Sequence, residues 1–318
     1  MRVTVDVAGA QMGGAARFAA ELYDYLARAE RDDVQVIGAT RRLDAPWLVR
    51  RELVHPAKAR RIAINNVSFV APGGDRWTML RNALYFLTAS EAARLDPSLR
   101  ARTAREAVLV RLAARRADVL VVPSMAMADR VKRILPGVRS RIMVRPHPVS
   151  ADVVPQRARE SAILCPVLFA PYKHMAQRLE ELLKALQDYA DPVWLQITAD
   201  RCDVPPPLAN NPRAEFVGRL DHRELRELWA RSRAIYFPTG LEAFGYPLAE
   251  ARVSGRPVIA RDNAQNREIA GPALCGFSAG DHESLVRAVS LAMTTHVTPD
   301  PRIFDPQAYF DWMLGAAR

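Results

Sequence analysis

The alternation of short apolar runs with amphipathic segments most constrains the fold of this 318-residue chain. RVTVDVAG at the start and ADVLVVPS later are apolar runs, whereas AARFAAELYDYLARAE has apolar residues at helical spacing. Strands that alternate with helices build parallel sheets that are covered by helices on both faces. The sequence therefore predicts an α/β fold.

A Pro-rich and polar stretch, RPHPVSADVVPQRARES, interrupts this alternation near the middle of the chain. The chain exceeds the size at which single cores usually stop growing, which favours two domains. We predict a first Rossmann-like domain over residues 1–148 and a second over 149–298. The tail, 299–318, contains PQAYFDWMLGAAR. It predicts a last helix that crosses back to the first domain, because its aromatic side chains need burial.

The net charge of +10 comes almost entirely from arginine. A basic surface favours phosphorylated ligands, nucleic acid or an anionic membrane. One group of basic residues lies in the segment 41–61: Arg41, Arg42, Arg50, Arg51, Arg60 and Arg61. This group is either a solvated face or a patch that faces a membrane or an acceptor. No nucleic-acid-binding motif accompanies the charge, so we predict no nucleic-acid partner.

The cysteines and the hydropathy pattern indicate the cellular compartment in which the protein is found. Cys165, Cys202 and Cys275 have no metal-ligand spacing, which predicts free thiols in a reducing compartment and no metal. No apolar run reaches the roughly 20 residues of a membrane span, and the first residues lack the pattern of a signal peptide. We predict a cytoplasmic protein without a cofactor, peripheral at a membrane if segment 41–61 contacts one.

Two carboxylates eight positions apart, Glu242 and Glu250, stand in the stretch GLEAFGYPLAEARVSGRPVIA. Pro247 suits the first turn of a helix and Gly255 its end, so we expect Glu242 before the helix and Glu250 in its first turn. Ligands of parallel sheets bind beyond the carboxyl ends of strands, near helix N-termini. The carboxylates are therefore either ligand-binding groups or, alternatively, loop polarity and a favourable charge near the helix dipole.

The stretch from AEFVGRL to NREIAG resembles the C-terminal donor domain of glycosyltransferase family 4, which are retaining nucleotide-sugar transferases of the GT-B fold. The Glu-x7-Glu with its internal Phe-Gly, the preceding F-x-G-R and the following SGRPVIA match in order and spacing. The resemblance implies two Rossmann-like domains that face across a cleft. It also implies metal-independent transfer of a sugar from a nucleoside diphosphate to an acceptor hydroxyl with retained anomeric configuration. The acceptor stays open: a glycolipid, a glycan or a natural product.

The resemblance also implies roles for particular residues. Glu242 is implied to lie against the donor sugar, and Lys173, in APYKHMAQRLEELLKAL, to bind the diphosphate as the second catalytic residue. Glu250 is implied to accept hydrogen bonds from ribose hydroxyls, since one carboxylate can hold two vicinal hydroxyls. The other implied donor-binding residues are Gly14, Gly218, Arg219, Phe244 and Gly245.

The sequence departs from the family pattern at three points. The family has an arginine five or six residues before the lysine, where this chain has Leu168 and Val167; Arg219 and Arg145 are candidate replacements. The crossover, usually Pro-Asn-Gly, reads Pro-His-Pro around His147, which is interpreted as a hinge residue. The family's N-terminal histidine has no counterpart, and Tyr85 is expected in its region.

Three alternatives stay open. The missing arginine and histidine allow a catalytically silent relative that binds nucleotide or sugar. A GT-B nucleotide-sugar epimerase is the second alternative, and a nucleic-acid-binding α/β protein, inferred from the basic charge, is the third. A dinucleotide dehydrogenase is disfavoured, because the first turn reads AGAQMGG rather than G-x-G-x-x-G.

Overall fold

The computed structural model describes residues 2–53, 59–151, 160–166, 173–189 and 191–315. The chain divides into two compact units. The first unit contains residues up to Ser150, the short segment Leu241–Phe244 and the residues from Phe304 onward. The second contains Ala151–Gly240 and Gly245–Ile303. The positions of Val167 and Leu168, where the family pattern has its arginine, lie outside the described residues.

The first unit is built on a parallel six-stranded sheet in the order β2-β1-β3-β4-β5-β6. Its strands are β1 (Val3–Asp6), β2 (Val34–Ile37), β3 (Arg60–Ala63), β4 (Asp75–Met79), β5 (Val119–Val122) and β6 (Arg141–Val144). Its helices are α1 (Gly13–Ala29), α2 (Ala45–Leu53), α3 (Ala89–Ala93), α4 (Pro97–Ala114), α5 (Met125–Ile134) and the last helix, α12 (Pro306–Leu314).

The last helix packs its apolar face on α1 and on the sheet of the first unit. Phe310 lies edge-on to Phe18, with ring centroids 5.6 Å apart, and Trp312 lies 5.2 Å from Trp77. The Tyr25 hydroxyl donates a hydrogen bond of 2.6 Å to Asp311. The aromatic residues of the tail are therefore buried among side chains from the beginning of the chain.

Burial corrects the prediction of one arginine surface over segment 41–61. Arg61 lies in β3, inside the sheet, is 2% exposed, and donates to the carbonyls of Ala71, at 2.8 Å, and Gly73. Arg60 donates to Asp75 at 3.1 Å and to the Met313 carbonyl at 3.0 Å. These two arginines stabilise the fold, because their N–H groups donate hydrogen bonds to backbone carbonyls and a carboxylate of the first unit.

Arg51 is the most deeply buried member of that group, with 1% of its surface exposed. Its guanidinium forms an ion pair of 2.6 Å with Asp6, at the end of β1, and donates to the carbonyls of Val67 and Ser68 at 2.9 and 2.6 Å. Only Arg41, Arg42 and Arg50 are exposed, so the predicted patch shrinks to half of its members.

The second unit repeats the plan with a parallel sheet in the order β12-β11-β10-β7-β8-β9. Its strands are β7 (Glu160–Cys165), β8 (Trp194–Ile197), β9 (Ala214–Phe216), β10 (Ser232–Phe237), β11 (Val258–Arg261) and β12 (Leu274–Phe277). Its helices are α6 (Met175–Gln187), α7 (Pro206–Ala209), α8 (His222–Arg231), α9 (Tyr246–Ser254), α10 (Ala264–Ala270) and α11 (His282–Thr294).

The core of the second unit lies between its sheet and the helices α6 and α11. Leu179 and Leu183 of α6, Val289 of α11, and Leu195 and Ile197 of β8 belong to one cluster of buried residues. The three cysteines are free thiols. Within the described ranges, no helix is long and apolar enough to cross a membrane, and no group of three metal-ligating side chains occurs.

Candidate functional site

The predicted site residues of the second unit all follow the carboxyl ends of its strands. Lys173 comes after β7, Gly218 and Arg219 after β9, and Gly245 after β10. Because every strand pair in this sheet is parallel, these ends share one edge of the sheet. Ligands of open parallel sheets bind at this edge.

Gly245 is the N-cap residue of α9 and has a conformation that favours glycine, with φ of +83°. A Cβ atom there would lie 2.9 Å from Leu248 Cδ1 and 3.1 Å from Phe237 Cε1. Pro247 lies in the first turn and Gly255 ends the helix with φ of +65°, which confirms both predictions. Glu250 was expected in the first turn, but it is the fifth helical residue and lies in the second turn. The helix begins at Tyr246, one residue before Pro247, and this earlier start places Glu250 in the second turn.

A group of cations that the sequence did not reveal lies near Lys173. Arg178 of α6 donates its Nε to the Lys173 carbonyl at 2.8 Å, and its own carbonyl accepts a bond of 3.0 Å from the Tyr236 hydroxyl. Burial, and next the neighbouring charge of Arg261, lower the pKa of Arg178. Neither guanidinium forms an ion pair with a carboxylate in the described part of the chain. Lys173, Arg178 and Arg261 therefore concentrate positive charge after β7 and β11.

Arg261 lies against the turn that follows β10. Its Nη1 is 2.8 Å from where a Cβ of Gly240 would be, so the guanidinium lies directly against the glycine. Its Nε is buried, with no hydrogen-bond partner among the residues that the structure describes. Arg261 ends β11, a position that is visible in the sequence, but its proximity to Arg178 depends on the order β11-β10-β7 of the sheet.

Gly218 and Arg219 form a loop beside the turn that follows β8. Gly218 has φ of +73°, and its amide donates to the Ala199 carbonyl at 3.2 Å. The Arg219 side chain is 83% exposed, 3.9 Å from Asp200 and 3.8 Å from Asp203. Arg219 was a candidate for the missing arginine, but its charge is shared with two carboxylates.

Glu242 belongs to the segment Leu241–Phe244, which is part of the first unit. Ser124, the N-cap of α5, donates its hydroxyl to the Ala243 carbonyl at 3.1 Å. The Phe244 ring is buried, 4.9 Å from the ring of His147 and 6.2 Å from that of Phe304. These contacts fix the backbone on either side of Glu242, and Ser124 is a positioning residue that the sequence analysis missed.

Gly14 lies in the exposed first turn of α1. Its carbonyl accepts a hydrogen bond of 2.6 Å from Arg81, whose guanidinium lies 5.0 Å from the Phe18 ring. Arg81 thus brings a positive charge to the beginning of α1. No sequence pattern connects Arg81 to Gly14, because the two positions meet only in the folded unit.

Three residues that the departures singled out have structural roles. His147 is buried, and burial together with the charge of Arg81 holds its pKa well below the ordinary value, so the ring is neutral. Tyr85 donates to Glu106 at 3.1 Å, and burial raises its pKa to about 12. Arg145 donates to the Ala308 carbonyl at 2.8 Å and lies 4.8 Å from the Trp312 ring. Arg145 therefore holds the last helix.

The helices differ in how their N-terminal amides are satisfied. All described helices of five or more residues except α1, α6 and α9 have a side-chain cap: Asp44 for α2, Thr88 for α3, Asp96 for α4, Ser124 for α5, Asp221 for α8, Asn263 for α10, Asp281 for α11 and Asp305 for α12. Among the described residues, no side chain caps α1, α6 or α9. α1 begins at Gly13, next to the predicted donor-binding residue Gly14; α6 begins shortly after the predicted catalytic residue Lys173, and α9 after the predicted donor-binding residue Gly245.

Uncapped N-termini can serve a ligand. The first amides of a helix have no partner within the helix, and the dipole places partial positive charge there. A phosphate bound at such an end accepts hydrogen bonds from these amides, and its negative charge is stabilised by the partial positive charge of the dipole. Three predicted site residues, Gly14, Lys173 and Gly245, thus lie at the helices whose first turns lack a side-chain cap.

Comparison with known families finds a match in the second half of the chain. Residues 208–308 match the model of the family described as glycosyl transferases group 1. This range contains Gly218, Arg219, Glu242, Phe244 and Glu250. No curated protein matches the chain.

Solved structures with a similar fold are glycosyltransferases. WaaG, a glycosyltransferase involved in lipopolysaccharide biosynthesis, is 15% identical with a TM-score of 0.67, and the match covers 99% of this chain and 100% of WaaG. Trehalose-6-phosphate synthase is 10% identical with a TM-score of 0.66, covering 99% and 98%. TarM from S. aureus is 10% identical with a TM-score of 0.58, covering 82% of this chain.

The chain spans 53% of the TarM chain that it matches. At these identities the likeness concerns the fold: two units with parallel six-stranded sheets, as in GT-B glycosyltransferases. The arrangement of the two domains across a cleft stays a prediction. The chain therefore has a GT-B fold, and its residues 208–308 match the model of the family described as glycosyl transferases group 1.

Proposed function

We propose that this protein transfers a sugar from a nucleoside-diphosphate sugar to an acceptor hydroxyl with retention of the anomeric configuration. The observation that carries the proposal is the set of three uncapped helix N-termini at Gly13, Lys173 and Gly245. A silent relative or an epimerase remains an outcome of the test. The TarM structure contains UDP, and the trehalose-6-phosphate synthase structure concerns transfer with retention; both are consistent with a nucleotide-sugar donor here.

The leaving diphosphate is the group that the second unit is proposed to stabilise. Negative charge grows on the diphosphate as the bond to the sugar breaks, and fixed cations and amides compensate it without a metal. We assign this role to Lys173, to the amides at the start of α6 and α9, and to Arg178 and Arg261. The two arginines replace the one that the family has five or six residues before its lysine.

Two carboxylates are proposed to orient the donor. Glu250, half-buried on α9, accepts hydrogen bonds from the ribose hydroxyls. Glu242 contacts the hydroxyls of the transferred sugar, on a segment that Ser124 and the buried Phe244 ring hold in place. The proposed family relation to glycosyltransferase family 4 assigns no dedicated base. The acceptor proton then passes to the departing phosphate oxygen as the new glycosidic bond forms.

Lys173→Ala and Glu242→Ala test the proposal in assays of transfer and donor hydrolysis with a panel of nucleotide sugars. Lys173→Ala should lower kcat on the order of a hundredfold, with a much smaller effect on donor binding, because the lysine acts on charge that develops in the transition state. Glu242→Ala should lower kcat similarly and leave the affinity for nucleoside diphosphate within about twofold.

Matched controls are Lys184→Ala, an exposed lysine in the last turn of the same helix as Arg178, and Glu283→Ala, an exposed carboxylate on α11. Both should behave as wild type. The enzyme proposal fails if wild type neither transfers nor hydrolyses any nucleotide sugar. Nucleoside diphosphate binding that does not depend on Lys173 would then identify a catalytically silent binding protein.

A further inference from the structure

A cavity of about 290 Å³ lies in the first unit, at the carboxyl end of β2. Its lining residues are Ile37, Gly38, Ala39, Thr40, Trp47, Arg41, Arg50 and Arg51. Within the described chain, three of these residues are arginines and none is acidic. β2 pairs in parallel with β1, so the cavity lies at the edge of the sheet where open α/β sheets bind ligands.

Two of the three arginines present their charge to solvent. Arg41 and Arg50 are exposed, and neither side chain pairs with a carboxylate among the residues that the structure describes. Arg51, by contrast, is neutralised by Asp6 at 2.6 Å. The cavity therefore has two uncompensated guanidinium groups, which suit the oxygens of a phosphate group.

The walls of the cavity are fixed by the backbone and by Asp6. Gly38 has φ of +76°, and a Cβ there would lie 2.7 Å from Asp6 Oδ1, so the loop after β2 closes tightly on the aspartate. The Arg41 amide donates to the Gly38 carbonyl at 3.0 Å, and the Arg41 carbonyl accepts from the Gly9 amide at 2.9 Å. Arg41 thus projects from a backbone that is held on both sides.

Trp47 adds apolar surface to the cavity. Its indole N–H donates to Asp6 at 3.1 Å, so the remaining surface of the ring is apolar. An aromatic ring beside two free guanidinium groups matches a ligand that joins a sugar ring to a phosphate, because the non-polar face of a sugar can pack on the ring.

We propose that this cavity binds the phosphate group of the acceptor, and that the acceptor is a phosphorylated sugar. The claim that the ligand is the acceptor of sugar transfer rests on the proposed function. The claim that the cavity binds a phosphate group rests only on the residues that line the cavity. The phosphate can belong to a soluble sugar phosphate or to the headgroup of a lipid, since both present the same chemistry to Arg41 and Arg50.

Calorimetric titration with a sugar monophosphate tests the site in the full chain, in a buffer of low ionic strength without phosphate. Arg41→Ala/Arg50→Ala should weaken binding at least tenfold. Arg42→Ala removes a neighbouring exposed charge that does not line the cavity, and should change the affinity less than twofold. Lys173→Ala should leave the affinity unchanged, which separates this site from the donor diphosphate site. Both arginines are exposed, so the double variant should keep the wild-type melting temperature.

The source of the phosphate is distinguished by a second titration with vesicles that contain phosphatidic acid. Tighter binding of the soluble sugar phosphate identifies a soluble acceptor, and tighter binding of the vesicles identifies a lipid. Equal affinity of wild type and the double variant for both probes overturns the proposal. If the double variant loses phosphate binding but wild type hydrolyses no nucleotide sugar, the phosphate site stands and the glycosyltransferase proposal fails.

Discussion

Arg51 of the first unit and the pair Arg178 and Arg261 of the second differ in how their charge is compensated. In the first unit, Arg51 lies 2.6 Å from Asp6 and donates to two carbonyls, so its charge is neutralised within the protein. In the second, Arg178 and Arg261 lie close enough for the charge of one to lower the pKa of the other, and neither has a carboxylate partner in the described ranges. An arginine with an internal partner stabilises the fold, whereas two arginines held together without one favour an external anion.

Removing the neutralised arginine should have the largest effect. Arg51→Leu leaves Asp6 buried without its cation and should lower the free energy of unfolding by about 3–5 kcal/mol. Urea denaturation measures the change. Arg42→Leu, an exposed neighbour, should stay within about 0.5 kcal/mol. A change below about 1 kcal/mol for Arg51→Leu would show that the remaining donors to Asp6, which are Trp47, Asn65 and the Ala8 amide, suffice for its charge.

Removing an arginine of the second unit should affect turnover and not stability. Arg261→Ala and Arg178→Ala should each lower kcat on the order of a hundredfold, because each removes a fixed cation from the leaving diphosphate. Their unfolding free energies should not fall, since the variant loses a repulsion between two cations. The control is Arg267→Ala, an exposed arginine of α10 that pairs with Asp262. Wild-type turnover in both variants would remove these arginines from the site.

Removing the charge of a half-exposed ion pair should change the free energy of unfolding least among the three predictions. Arg130 donates to both carboxylate oxygens of Glu91, at 2.6 and 2.8 Å, and lowers the pKa of Glu91 from 4.5 to about 2. Because the folded pKa is depressed, the stabilisation is present above pH 4.5 and is lost as the pH falls towards 2. Glu91→Gln should cost about 1 kcal/mol at pH 7, a small value because solvent screens the pair.

The test is denaturation of wild type and Glu91→Gln at several pH values. The two unfolding free energies should converge below pH 4.5 as the carboxyl group becomes protonated. Glu283→Gln, in an exposed pair with Arg287, should show no such convergence. A constant difference between wild type and Glu91→Gln down to pH 2 would assign the effect to packing rather than charge.

Local signals in the sequence predicted much of the second unit. Pro247 and Gly255 mark the beginning and end of α9 through backbone chemistry that acts within a few residues. By contrast, β3 begins with Arg60 and Arg61, and β4 with Asp75 and Arg76, so neither has a wholly apolar pattern. Those strands were missed because their polar groups find partners that are distant in sequence.

The site was predictable only where a motif is contiguous. The family pattern placed Gly245, Glu242 and Glu250 on one short stretch, whereas Arg178 and Arg261 come together through the neighbouring strands β7, β10 and β11. The same limit explains the arginine group at 41–61. The sequence shows that the residues are basic, and only the fold shows that Arg51 and Arg61 are buried.

The return of α12 to the first unit has a consequence for synthesis of the protein. The ribosome makes roughly 5–20 residues per second, and α12 emerges only after the whole second unit. Until then, Phe18, Tyr25 and Trp77 lack the aromatic partners that Phe310 and Trp312 supply. The nascent first unit therefore carries an open apolar face for on the order of ten seconds, at the stage when chaperones bind such surfaces.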